Sequence, residues 1–270
     1  MRTLTFIFLM GCCFVANAQK LPDVQQASLV APANVKVDGR LTEWGDKLQA
    51  YNKETEIYYT IANNKDYLYL TIQATDIDII DKIVSRGLAL TMNTDGNKKD
   101  KNSAVVTFPV YENGKPRLYL MLYKSKEIKS DGVDVNMRLD TLKNGLNKKI
   151  KDGFKFIGTS GLKGVISDMI SLYNAEGILA TAVFDENLYY NFELAVPLKL
   201  VVGNATPKSI NYNIQINGYA FGGSDLKSIR DKFLTYRGAD GKDYVLGEPT
   251  PRNWSLATPT NFWGEYTLAK

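Results

Sequence analysis

The chain has 270 residues, with 33 Lys+Arg against 29 Asp+Glu, a formal net charge of +4, 44% apolar residues, 16 Tyr and no histidine. This globular composition excludes disorder, collagen-like repeats and a polytopic membrane protein. The absence of histidine also excludes a Ser-His-Asp triad, a Cys-His dyad, an H-E-x-x-H zinc helix and a His-ligated haem, leaving paired carboxylates, Lys or Tyr as catalytic groups.

Residues 1–18 read as a signal peptide. Met1-Arg2 is a short positive start, Leu4 to Val15 is a compact apolar run too short to span a bilayer, and Ala16-Asn17-Ala18 has the small-x-small pattern of a cleavage site. A rival processing site, Leu9-Met10-Gly11-Cys12, has the form of a lipoprotein box with Cys12 as the lipidated residue. Either way the sequence predicts an exported protein of the periplasm, the cell surface or the extracellular space. Cys12 and Cys13 are the only cysteines, so residues 19–270 are expected to form one domain held by its core without a disulfide and without a transmembrane span. Its slight basic excess follows no Arg-aromatic stripe, and nucleic acid is not expected as a partner.

Strands follow in chain order. Glu56 to Ile61 alternates with Ile57, Tyr59 and Ile61 on one face. The turn formers Asn63 to Asp66 come next, and Tyr67 to Gln73 then places Leu68, Leu70 and Ile72 inward, which predicts a β-hairpin. Period-2 patterns recur at Leu88/Leu90/Met92, Val106/Phe108/Val110, Leu118/Leu120/Leu122, Leu179/Thr181/Val183, Phe192/Leu194/Val196, Ile210/Tyr212/Ile214/Ile216 and Phe262 to Leu268. Turn signals such as Asp95-Gly96, Asp131-Gly132, Asp152-Gly153 and Asp185-Glu186-Asn187 separate them. Helical periodicity is scarce: Ser224 to Phe233 reads as one short helix and Gly164 to Tyr173 as another turn or two. The expected class is all-β, an antiparallel β-sandwich of jelly-roll-like form with one or two short helices.

Val35-Lys36-Val37-Asp38-Gly39-Arg40-Leu41-Thr42-Glu43-Trp44, the segment Asn64 to Leu70, Tyr190 to Leu198 with Glu193 inside it, and Asn261 to Leu268 stand in one order along the chain. That series resembles the family 9 carbohydrate-binding modules and their DOMON-like relatives, with Gly87 to Lys99 similar to a variant found in exported Bacteroidetes-type proteins. The resemblance implies a β-sandwich that binds sugars without cleaving them, often beside calcium. The pair of Trp that clamps a terminal sugar in family 9 modules has no evident counterpart: Trp44 belongs to the opening motif, where packing beneath the first turn is expected of it, and Trp254 and Trp263 are the only others.

Sugar recognition needs apolar faces for C–H surfaces and amides or carboxylates for hydroxyls. Asn211, Asn213, Gln215, Asn217 and Tyr219 fall on one face of a strand, and Asn is depleted in strands. The face is either a ligand surface or the wet side of an antiparallel sheet. With Tyr236, Arg252 and Trp254 as rim residues, the candidate ligand-binding set is Asn213, Gln215, Asn217, Tyr219, Tyr236, Arg252 and Trp254. Asn93 to Asn97 and Asp76 to Asp81 hold oxygen ligands that calcium uses, but Lys98, Lys99 and Lys101 crowd the first, which also reads as a hairpin turn, and the second also reads as an acidic strand exit. No metal and no cofactor is assigned. A glycosidase needs two carboxylates roughly 5 to 10 Å apart. Glu193, Asp185 and Glu176 form no such pair in sequence, and Glu193 is expected to partner a Lys or Arg. No catalytic residue is assigned. The expected function is non-catalytic carbohydrate binding, with a structural or interaction protein lacking a small ligand as the alternative and a carboxylate-pair glycoside hydrolase behind both.

Overall fold

In the computed structural model, residues 20–45, 47–94, 103–112, 118, 135–218, 235–237, 241–245 and 251–270 are described. Ile57, Tyr59 and Ile61 of β2 (Ile57–Asn63) and Leu68, Leu70 and Ile72 of β3 (Tyr67–Ala74) all turn into the core. Their hairpin closes on Asn64, whose Oδ1 accepts from the backbone N–H of Asp66 and Tyr67 at 2.9 and 2.8 Å. This is the side-chain turn that Asn favours. With β1 (Ala50–Asn52), β8 (Leu179–Phe184) and β9 (Tyr190–Pro197) they make a five-stranded sheet in the order β1-β2-β3-β9-β8.

A six-stranded sheet faces it. Its strands are β4 (Leu88–Asn93), β5 (Ala104–Val110), β6 (Phe156–Ser160), β7 (Met169–Ser171), β10 (Ser209–Ile216) and β13 (Thr260–Thr267), in the order β13-β10-β4-β5-β6-β7. All ladders within the two sheets are antiparallel. Leu88, Leu90, Met92, Val106, Phe108 and Ile210, Tyr212, Ile214, Ile216 meet Phe192, Leu194 and Val196 in one buried cluster. Across it the Tyr59 and Tyr212 hydroxyls bond at 2.9 Å. The molecule is an all-β sandwich. A separate ribbon pairs β11 (Thr235–Arg237) with β12 (Asp243–Val245).

Helix is more abundant than the periodicity predicts. The described residues hold α1 (Ile77–Arg86), α2 (Val135–Gly153), α3 (Leu198–Val202) and α4 (Pro251–Ala257). The Asp76 to Asp81 stretch is the start of α1. Asp76 caps it, Oδ1 accepting from Asp78 and Ile79 N–H, while Ile79, Ile80, Ile83 and Val84 enter the core. Gly164 to Tyr173 is not helical; it runs from a turn into β7. In β8 the inward residues are Ala180, Ala182 and Phe184, so Leu179, Thr181 and Val183 face outward, the reverse of their assigned face. Leu118 packs on the core, whereas Leu120, Leu122, Asp95-Gly96 and Ser224 to Phe233 lie outside the described residues. No helix among the described residues is long and apolar enough to cross a membrane.

The segment before β1 folds over the outer face of the five-stranded sheet. Ala31, Val35, Val37 and Trp44 pack there on Ala62, Tyr69 and Ala195. Beneath it lies Glu193, 2% exposed. Its Oε2 accepts from the N–H of Asp38 and Gly39 at 3.0 and 2.8 Å, and its Oε1 from Trp44 Nε1 at 2.7 Å. Glu193 is thus held by the opening motif rather than by a Lys or Arg. Gly39 has φ +81° and a Cβ there would strike Val183, so the bend that aims both N–H groups at the carboxylate needs glycine.

Burial pushes the Glu193 carboxyl up despite its three donors. A folded pKa above the unfolded one adds stability below the ordinary Glu value that disappears as pH rises through the folded value. Unfolding titrations at stepped pH should therefore show the advantage of the wild type over Glu193→Gln shrinking as pH climbs from about 4.5. Glu193→Ala, which orphans three donors, should cost about 3 kcal/mol in denaturant unfolding. By contrast, the Tyr190 hydroxyl is fully buried with no hydrogen-bond partner among the described residues. Tyr190→Phe should leave the melting temperature unchanged or raise it, because an unsatisfied buried hydroxyl is a cost.

Candidate functional site

The opening segment covers part of the five-stranded sheet's outer face, and beside it Gln73 and Asn191 face a cleft. There the loop at Gly39 to Thr42 forms one wall, α2 the opposite wall, and the β8–β9 turn one end of a cleft of about 720 Å³. Gln73 and Asn191, from β3 and β9, floor it, with Gln73 Nε2 donating to Asn191 Oδ1 at 3.0 Å. Asp185 shapes the turn. Its Oδ1 accepts from Asn187 and Tyr189 N–H at 2.9 and 3.0 Å, and its Oδ2 from Asn191 Nδ2 at 3.3 Å.

On the helix side Lys143 bridges Asp140 and Glu186, and hydrogen bonds to Glu186 and then Asp140 raise its pKa. Asn147 is bonded through both amide atoms to the Phe184 backbone, at 2.7 and 3.0 Å. Four polar side chains that line the cleft, Arg40, Asn144, Asn187 and Tyr189, make no side-chain hydrogen bond among the described residues. Leu41, Val183 and Phe184 add apolar wall. The cleft therefore offers free donors and acceptors beside small apolar patches, while both of its carboxylates, Asp185 and Glu186, are engaged in the protein's own bonds.

The residues selected from the sequence lie elsewhere. Asn213 and Gln215 do share the outer face of β10, since Tyr212, Ile214 and Ile216 point into the core, and Asn217 directly follows the strand. Asn213 is buried and donates to Asn261 Oδ1 and to the Phe262 carbonyl. Gln215 donates to Asn217 Oδ1, and Asn217 to the Arg86 carbonyl. Arg252 and Trp254 stand on α4. Arg252 is ion-paired with Glu56 and with Asp76, the latter at 2.6 Å, and Trp254 is half-buried. The end of β10 meets the end of α4, where Gly218 lies against Thr258 and Ala257. Tyr236 is in β11, described in its backbone alone, and Tyr219 lies outside the described residues. Among the described residues no group of three or more Asp, Glu, Cys or His stands ready for a metal ion.

Gln73, Asn144 and Asn191 carried no signal in sequence, because isolated amides on alternating strands and on an unrecognised helix look like solvated positions. Asp185-Glu186-Asn187 reads in sequence as a turn, with Asp185 weighed only as a carboxylate partner for Glu193. Comparison with known proteins returned no matching family model, no matching curated protein and no matching solved structure.

Lys82 decides how α4 is held. It is 1% exposed and donates to the Ser255 carbonyl at 2.6 Å and to Thr260 Oγ1 at 3.0 Å. Burial, then the nearby Arg252 charge, lowers its pKa from 10.5 to about 8. A depressed folded pKa gives stability that is present above the unfolded value and lost as pH falls through the folded one. The protein should therefore gain stability between about pH 8 and 10.5, and Lys82→Met should abolish that rise in unfolding titrations.

Proposed function

We propose that the protein is an exported, non-catalytic carbohydrate binder and that the cleft between the opening loop and α2 receives the sugar. The observation that carries this reading is the set of free polar tips, Arg40, Asn144, Asn187 and Tyr189, around an open cleft of about 720 Å³ with an amide floor. Sugar hydroxyls both donate and accept, so they match amides, a phenol and a guanidinium better than an apolar ligand would. The cleft carboxylates support binding rather than cleavage. Glycoside hydrolysis asks one carboxyl for a proton and another for a lone pair, whereas Asp185 holds its turn and Glu186 holds Lys143.

The resemblance to family 9 carbohydrate-binding modules and the leader-like start point the same way. In this reading the opening motif shapes the cleft wall, because Gly39 to Thr42 are both part of that motif and part of the lining. The sugar contacts then come from the loop and helix, not from a Trp pair.

The test is a glycan panel applied to the protein without residues 1–18, followed by calorimetry on any hit. Asn144→Ala combined with Asn187→Ala should weaken binding about tenfold or more, as expected for losing hydrogen bonds to a ligand, while Gln215→Ala should leave it unchanged. Absence of any glycan binding sinks the proposal. Binding that falls with Gln215→Ala but not with the cleft variants moves the site to the β10 face.

A further inference from the structure

β8 is an edge strand, paired on one side with β9 alone. In an antiparallel edge, the N–H and C=O of every second residue point away from the neighbour. Here those residues are Ile178, Ala180, Ala182 and Phe184. Both ends of the series are closed by amide side chains that imitate a paired strand. Asn174 accepts from Ile178 N–H at 3.1 Å and donates to its carbonyl at 2.8 Å. Asn147 does the same for Phe184 at 2.7 and 3.0 Å. Between them the outward N–H and C=O of Ala180 and Ala182 have no partner among the described residues.

This window opens into a groove of about 600 Å³ between the edges of the two sheets. Phe108, Phe154, Phe156 and Leu172 give it an apolar wall, and Tyr173, 97% exposed, stands at its margin. Lys151 and Lys155 line it too, and Lys155 Nζ donates to the Lys151 carbonyl at 2.9 Å. Asp152, the acid beside them, is already neutralised by Lys148 at 2.6 Å. The groove thus joins unpaired ladder groups, an apolar wall and an excess of positive charge.

We propose that this groove is a β-augmentation site for a short, extended, acidic peptide, which pairs its backbone with Ala180 and Ala182, buries a large apolar side chain against Phe154 and Phe156, and presents a carboxylate to Lys151 and Lys155. Strand addition at a free edge draws its affinity from main-chain bonds and its selectivity from pockets for alternate side chains. The occupant is short because Asn147 and Asn174 close the ladder on both sides. For the same reason a second copy's β8 does not fit as a long continuous strand. This inference is independent of sugar binding in the cleft.

The experiment is fluorescence anisotropy of the whole chain with a short labelled peptide alternating Glu and Phe, and with a counterpart alternating Lys and Phe, alongside amide exchange at Ala180 and Ala182. The acidic peptide should bind at least about tenfold more tightly than the basic one, and Lys155→Glu should shrink that preference. Ala182→Pro removes an outward N–H without breaking a β8–β9 bond, as an edge strand tolerates, so it should weaken the peptide about tenfold with the circular dichroism and melt retained. Should the proline variant unfold, slowed exchange of the Ala180 and Ala182 amides on peptide addition is the deciding readout. The proposal is overturned if neither peptide binds, if a folded Ala182→Pro binds as the wild type does, or if those amides are protected without peptide. Protection without peptide marks the edge as covered by the chain itself or, where it grows with protein concentration, by a second copy.

Discussion

The buried carboxylate of Glu193 holds the segment that covers the five-stranded sheet. A carboxylate removed from water is stable only where donors replace its solvent. Here all three come from one stretch of chain: two backbone N–H groups at Asp38 and Gly39, and the Trp44 indole. One side chain in the middle of β9 therefore fixes a loop more than a hundred residues earlier in sequence. The loop in turn covers Tyr69 and Ala195, which would otherwise leave an apolar patch on the sheet's outer face.

The same constraint creates the cleft. The covering segment stops short of the β8–β9 turn, and α2 approaches that turn from the other side, tied by Asn147 to Phe184 and by Lys143 to Glu186. Gln73 and Asn191 lie on the uncovered strip between them. They extend the same outward-facing rows that run through Thr71 and Glu193 under the cover, so one sheet face is part anchor and part open floor. The cleft is a consequence of two elements that each cover only part of that face.

How far the sequence discloses this depends on whether a pattern is local. The β2–β3 hairpin, β4, β9, β10 and β13 are legible because large apolar residues recur at every second position, which assigns the face that meets the facing sheet. β8 misleads because Leu-Ala-Thr-Ala-Val-Phe is nearly apolar on both faces; the larger Leu179 and Val183 attract the inward assignment, although the space beneath suits Ala180 and Ala182. At the start of α1, Asp76 looks like a strand-exit acid until its capping role is seen, with Asp78 an acid of the first turn. α2 is rich in Lys and Asn, with Leu146 and Ile150 its buried apolar residues among those described, so its helical period is faint. Glu193 is visible as a residue but not as a partner. A carboxylate in a strand gives no local sign that an indole and two amides will meet it, and charge pairing alone points to Lys or Arg.

Asn147 shows why the two candidate surfaces are separable although they adjoin. It lines both the cleft and the groove, and its Oδ1 and Nδ2 are both engaged by the Phe184 backbone, which orients the amide toward the strand edge. Its work is to end the free edge of β8, as Asn174 does at the other end. An uncovered edge invites uncontrolled strand pairing, and two amides limit that invitation to the short stretch at Ala180 and Ala182. On the cleft side, the free groups sit on the opening loop, the turn and the exposed face of α2, all beyond Asn147. A protein without histidine has few routes to chemistry at such surfaces, but amides, tyrosines and unpaired backbone groups are recognition groups in their own right. Their placement, in an open polar cleft on one side of Asn147 and along an apolar edge on the other, gives one sandwich two chemically distinct candidate surfaces.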